Sequence, residues 1–234
     1  MPYTSGTPRL FYRSEGQGPL VIMLHGLLMN GQCWVDNGFV QALAPYFHVI
    51  CPDLSGHGLS DKPASEACYT RESQAAALVE LIQELGHEKA HVVGYSAGAW
   101  LALGLLESYP DRLHSVVVGG WDCLQGLPDT LSFDIFMGYA RETAPELSSL
   151  SPEAERSAAC FFNELKKHTP GDEKRLTCGI PLLFWAGFGD PYYAAMSEVA
   201  EQYAIPIISG KGDHLGEIIH PDEATLAEIL KFVG

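Results

Sequence analysis

The sequence has little positive charge and no long apolar run. Its 14 lysines and arginines stand against 29 aspartates and glutamates, for a formal net charge of −15. Nucleic-acid grooves and anionic membrane surfaces are met by clustered basic residues, so neither is an expected partner. A highly anionic small molecule is disfavoured on the same ground. No apolar stretch reaches the roughly 18 residues that a membrane span requires. The N-terminal MPYTSGTPRLFYRSEG lacks the apolar centre of a signal peptide, which makes a cytoplasmic location the expectation. The six cysteines (Cys33, Cys51, Cys68, Cys123, Cys160 and Cys178) include no close pair of the kind zinc sites use, and are expected to be reduced and structural. No repeat or low-complexity tract is present.

What is present suits a globular domain with a sizeable core. At 234 residues, 47% hydrophobic and 18% charged, the chain fits one domain with a modest insertion. Apolar runs such as PLVIMLHG, KAHVVGYSAG, DRLHSVVVGG and IPLLFWAG alternate with helical stretches such as ESQAAALVELIQELG and AWLALGLLESYP. PRLFYRS and IPIISG are further strand candidates, and ATLAEILKFV a last helix. This alternation predicts an α/β fold, a mostly parallel twisted sheet with helices on both faces. The segment 123–177 breaks the rhythm. It carries helical pieces, DIFMGYARE and PEAERSAACFFNELKKH, and reads as a small helical cap inserted into a core formed by 1–122 and 178–234.

In open α/β sheets, chemistry collects beyond the carboxyl ends of the strands. His25, Asp53, Ser96, Asp122, Asp190 and His214 all fall there. GYSAG matches the Gly-x-Ser-x-Gly turn, in which a strained strand-to-helix junction projects a serine, with Gly94 and Gly98 leaving room. A serine hydroxyl needs a base, and His214 follows the last strand candidate. His220 precedes a Pro-initiated helix and is the weaker choice. A carboxylate must hold the tautomer of that histidine; Asp190 lies just past the preceding strand, with Asp122 as the fallback acid. Asp213 is adjacent in sequence, but its side chain would point elsewhere. The oxyanion of a tetrahedral intermediate requires two N–H donors, expected at Ala97 and at Leu27, with Leu28 the second choice for the latter. His25, before a tight glycine turn, reads as structural support. Pocket walls are expected from Leu27, Leu28, Tyr95, Trp121, Phe188 and Leu215, which are apolar or aromatic. No cofactor and no metal are expected.

LHGLL, PDLSGHGLSDKP, VVGYSAG, AGFGDP and GKGDHLG occur in this order across nearly the whole chain. Together they resemble the α/β-hydrolase superfamily, especially its small esterase and lipase-like members with a short lid. The resemblance implies a cofactor-free serine hydrolase acting on a small-molecule carboxylic ester and water, with a short to medium acyl or aryl group. It also implies mainly structural roles for Asp53, Gly56, Gly58 and Ser60. Dehalogenases and epoxide hydrolases of this fold place aspartate where Ser96 stands. Meta-cleavage-product hydrolases resemble the elbow but carry a larger lid. Menaquinone-pathway synthases are similar too, but usually carry an arginine just after the elbow, where this chain has Gly98, Ala99 and Trp100. Two alternatives follow: a lyase or C–C bond hydrolase using the same three residues, and a ligand sensor that retains them to bind a signal.

Overall fold

Three of the apolar runs form strands with no exposed residue or nearly none, as a sheet covered on both faces requires. In the computed structural model, which describes residues 2–167 and 172–234, β2 (Leu20–Leu24) is buried throughout, as is β6 (Leu182–Gly187). In β4 (Ala90–Tyr95) only His91 is partly open. Four further strands complete the sheet: β1 (Tyr12–Glu15), β3 (His48–Pro52), β5 (Leu113–Gly119) and β7 (Ile207–Gly210). The order is β1-β3-β2-β4-β5-β6-β7, parallel except for β1, which pairs antiparallel with β3. The chain moves outward in one direction from β2 to β3 and in the other from β4 onward. Its topological switch point therefore lies between β2 and β4, where a crevice opens at the carboxyl ends of the strands.

Strand alternation divides the core into two layers. Leu20, Ile22, Leu24, Val92, Val116, Val118 and Phe184 pack under α1 (Arg71–Glu84), α2 (Ala97–Ser108) and, further along the chain, the helix at Tyr193–Tyr203. Val21, Met23, Val93, Val117 and Trp185 pack on the opposite face against Trp34, Phe39, Ile218, Ile229 and Val233. Every residue of α2 from Ala97 to Leu106 is buried, so this helix is apolar all round and lies in the centre of its layer.

Between β5 and β6 stand α3 (Phe133–Thr143), α4 (Pro152–Leu165) and the single turns Pro145–Ser148 and Asp172–Arg175. Ser132 and Ser151 cap α3 and α4 by accepting from the N–H of Ile135 and Ala154. Pro145 opens a new turn directly after α3, and Pro152 starts α4, where a missing N–H costs least. Met137, Ala140 and Ala158 pack on Leu28 in the loop after β2. Residue 168, at the end of the second expected helical piece, and residues 169–171 lie outside the described residues. After β6 come α5 (Tyr193–Tyr203), α6 (His214–Ile219) and α7 (Glu223–Val233).

The first strand is shorter than PRLFYRS suggests. The N–H of Leu10 bonds to Thr4 Oγ1 and that of Phe11 to Ser60 Oγ, so both donors are taken by side chains before the β1–β3 ladder begins at Tyr12. No helix among the described residues is long and apolar enough to cross a membrane.

Candidate active site

Ser96 sits at the join of β4 and α2 with φ 54° and ψ −118°, a conformation that L residues rarely adopt. The turn closes because its neighbours lack side chains: a methyl at Gly94 would overlap the Gly98 carbonyl, and one at Gly98 would overlap the Leu24 carbonyl. The Ser96 N–H donates to the Gly119 carbonyl of β5 at 2.7 Å, which fixes the strained residue to the sheet. Its hydroxyl lies 3.1 Å from His214 Nε2, and His214 Nδ1 lies 2.8 Å from Asp190 Oδ2. Asp190 only accepts, so Nδ1 carries the hydrogen and Nε2 is left to accept from Ser96.

The loops that carry Asp190 and His214 are tied to one another. The N–H groups of Phe188 and Gly189 donate to the carbonyls of Gly210 and Gly212, at 2.9 and 3.0 Å. Buried Glu217 accepts from Gly212 N–H at 2.9 Å and from Trp185 Nε1 at 3.1 Å, drawing the β7–α6 loop onto β6. Asp213 caps α6 by accepting from Gly216 N–H at 2.7 Å and makes no bond to His214. Asp122 is likewise engaged locally, accepting from the N–H groups of Leu124 and Gln125 at 2.9 Å each. His220 is exposed at the end of α6. Of the two candidate acids, the structure brings Asp190 to His214.

Two partners of this array carry no motif. The Tyr95 hydroxyl donates to the His214 carbonyl at 2.9 Å and stands 3.3 Å from Asp190 Oδ2. Burial, followed by the nearby Asp190 carboxylate, pushes the Tyr95 phenol well above its ordinary range, so it remains a donor. Tyr192 gives its N–H to Asp190 Oδ1 at 2.9 Å and sets its ring edge-on to His214, with centroids 5.6 Å apart. Its phenol is pushed up to about 12 by burial first and Asp190 second. The adjacency GDPYY is the signal that could have found Tyr192; nothing local to GYSAG reports the reach of Tyr95.

The loop after β2 closes the other side. His25 is fully buried; its Nδ1–H donates to Gly26 O at 2.8 Å and its Nε2 accepts from Leu54 N–H at 3.0 Å. Desolvation lowers it to about 4, so it stays neutral and braces the turn. Leu28 has φ 67°, and a methyl at Gly26 would lie 3.5 Å from Ser96 Cβ, so this turn lies directly against the elbow. Among the described residues, the N–H groups of Leu27 and Ala97 meet no acceptor in the protein. Ala97 is also the first residue of α2, where the helix dipole favours negative charge. Asp53 accepts from Arg13 and from the N–H groups of Gly31 and Leu59, while Ser60 donates to the Asp53 carbonyl; these bonds hold the β3 turn together.

Ser96 and His214 open onto a cavity of about 410 Å³ between the strand ends and α3–α4. Leu27, Leu28, Tyr95, Trp121 and Leu215 line it, as the sequence suggests. Phe188 does not line it. Its backbone continues the β6–β7 pairing through Gly210, which leaves the ring 63% exposed and against Tyr193 at 4.9 Å. The sequence reading places a cap at 123–177 but names no wall residue from it. Phe136, Tyr139, Ala140 and Thr143 of α3 line the cavity at i, i+3, i+4 and i+7, a helical stripe that was legible as one face, with Phe162 and Leu165 of α4.

Residues 19–204 match the family model described as the alpha/beta hydrolase fold. The chain belongs to that family. Among solved structures, a hydrolase from Pseudomonas aeruginosa superposes with a TM-score of 0.81 at 20% identity, covering 99% of this chain and 97% of that one. The enol-lactonase from Burkholderia xenovorans does so with 0.81 at 19%, covering 99% of each. At these identities the likeness is one of fold. A pimeloyl-[acyl-carrier protein] methyl ester esterase of Aeromonas hydrophila is 39% identical over 102 residues, 44% of this alpha/beta hydrolase and 37% of that protein. An uncharacterized protein of Mycobacterium tuberculosis is 37% identical over 115 residues, 48% of this chain and 33% of that protein. The matched segments span about a third of the length of these curated relatives.

Proposed function

We propose that this alpha/beta hydrolase is a serine hydrolase that cleaves carboxylic esters with a short to medium acyl or aryl group. One observation carries the reading: a hydrogen-bonded chain from Ser96 Oγ through His214 to Asp190, at 3.1 and 2.8 Å, opens onto a largely apolar cavity. Ser96 Oγ attacks the ester carbonyl carbon while His214 Nε2 takes its proton. Asp190 holds the tautomer of His214 and stabilises the imidazolium. The carbonyl oxygen, now an oxyanion, accepts from the free N–H groups of Leu27 and Ala97. His214 returns the proton to the departing alkoxide, leaving an acyl group on Ser96. Water then adds to that acyl group with His214 again taking the proton, and collapse releases the acid and restores the serine. The segment 123–177 acts as a lid over the acyl group.

The methyl ester esterase among the relatives supports ester chemistry here. The test is hydrolysis of p-nitrophenyl esters from acetate to palmitate, with Ser96→Ala beside the parent. A maximum at short or medium chain length, lost in the variant, is the expected result. Silence across the series would contradict the esterase and turn attention to the lyase or sensor alternatives.

A further inference from the structure

The cavity is unusual in what its walls lack. Leu27, Leu28 and Trp121 form its floor and Leu131, Phe136 and Phe162 its roof. Its ionisable lining consists of His214, Asp213 and three tyrosines; among the described residues, no lysine or arginine lines it. The cap does contain cations, and three of those on or beside α3 and α4 are engaged elsewhere. Arg141 pairs with Glu155 at 2.9 Å, and Lys167 pairs with Glu164. Lys166 Nζ donates to the carbonyls of Asp129 and Leu131, both at 2.8 Å, and Leu131 is itself a residue of the wall. Asp213 borders the cavity as an exposed residue whose carboxylate is engaged by the Gly216 N–H, in a chain of net charge −15.

We infer that the acyl pocket selects an uncharged acyl chain or ring and rejects acyl groups that end in a carboxylate. The inference rests on the ester-hydrolase reading for its name of the substrate, but its cause is the pocket itself. A carboxylate entering this space gives up water and gains no counter-charge, whereas an alkyl or phenyl group of the same length gains apolar contact.

The test compares methyl hexanoate with monomethyl adipate, acyl groups of matched length that differ in a terminal carboxylate. Binding to the Ser96→Ala protein, measured by calorimetry near neutral pH, separates recognition from turnover. The neutral ester is expected to bind at least ~100-fold more tightly. Equal affinity, tighter binding of the adipate ester, or no binding of methyl hexanoate would overturn the inference. Leu131→Arg places a guanidinium in the roof and is expected to narrow the gap at least ~tenfold; Thr143→Lys at the exposed rim serves the same purpose if the first variant fails to fold. A gap that neither variant changes would remove charge as the cause. Turnover of the same pair by the parent protein is read separately: if neither ester is cleaved while the binding contrast persists, the hydrolase reading fails and the charge selection stands.

Discussion

The two halves of the site are built by different means. Below the cavity, positions are fixed by backbone: Ser96 is strained into place by Gly94 and Gly98, its N–H is held by Gly119, and the Asp190 and His214 loops are laced together by main-chain bonds. Above it, α3 and α4 present side chains through helical periodicity and meet the core loop through a small cluster around Leu28, Met137, Ala140 and Ala158. A backbone-fixed site tolerates almost no change in residue type, whereas a side-chain wall changes shape with each substitution. Reaction chemistry should therefore be sensitive below the cavity, and substrate preference adjustable above it.

The sharpest way to break that contrast is at Ser96. Ser96→Ala is expected to lower ester turnover by roughly 10⁴-fold or more, with an unchanged thermal melt; a loss of only a few-fold would remove the floor from the chemistry. Gly98→Ala comes next, since its methyl has nowhere to go but the Leu24 carbonyl. Urea unfolding should show a loss of about 3 kcal/mol together with impaired activity.

A pH effect follows from the buried histidines under the site. His57 is lowered to about 3 by burial first and by neighbouring His25 second, and its ring packs edge-on to Phe161 of α4. In the unfolded chain it binds a proton below about 6.5, which the native state refuses until much lower pH. Native stability therefore falls as pH drops below 6.5. Between pH 7 and pH 5, the stability loss measured by urea unfolding should be roughly 2 kcal/mol smaller in His57→Gln than in the parent.

Smaller effects sharpen the contrast. Tyr95→Phe removes the bond to the His214 carbonyl and is expected to reduce kcat about tenfold with little change in KM, because it disturbs the orientation of the base rather than the pocket. Leu147→Ala in the roof is expected to move the preferred acyl length upward, changing relative kcat/KM by only a few-fold and leaving stability nearly constant.

What was legible in the sequence follows the same division. The elbow could be read because its steric demand falls on adjacent residues: two glycines must flank a strained serine. The β-sheet could be read because fully buried parallel strands are continuous apolar runs. The acid was harder, since Asp122 and Asp190 both follow strands; the lacing of the Phe188–Asp190 turn to Gly210 and Gly212 brings Asp190 to His214, while Asp122 is taken up by the N–H groups of Leu124 and Gln125. Phe188 was misplaced because being next to a strand end does not fix which way a ring turns. Tyr95 was expected as a wall and does line the cavity, but its hydroxyl reaches across to another loop, a contact that no local pattern encodes. The cap was expected, but its wall residues were not named, although Phe136, Tyr139, Ala140 and Thr143 carry the helical spacing of a single face.

The central claim is that the Ser96 hydroxyl is the nucleophile and that His214 activates it. The most direct measurement is reaction with an alkyl fluorophosphonate, in which the Ser96 oxygen bonds to phosphorus, fluoride departs and His214 takes the hydroxyl proton, followed by peptide mass spectrometry. The account predicts one phosphonate on Ser96, formed rapidly by the parent protein and at least ~10³-fold more slowly in His214→Ala. An unlabelled Ser96, or labelling at the same rate without His214, would contradict it.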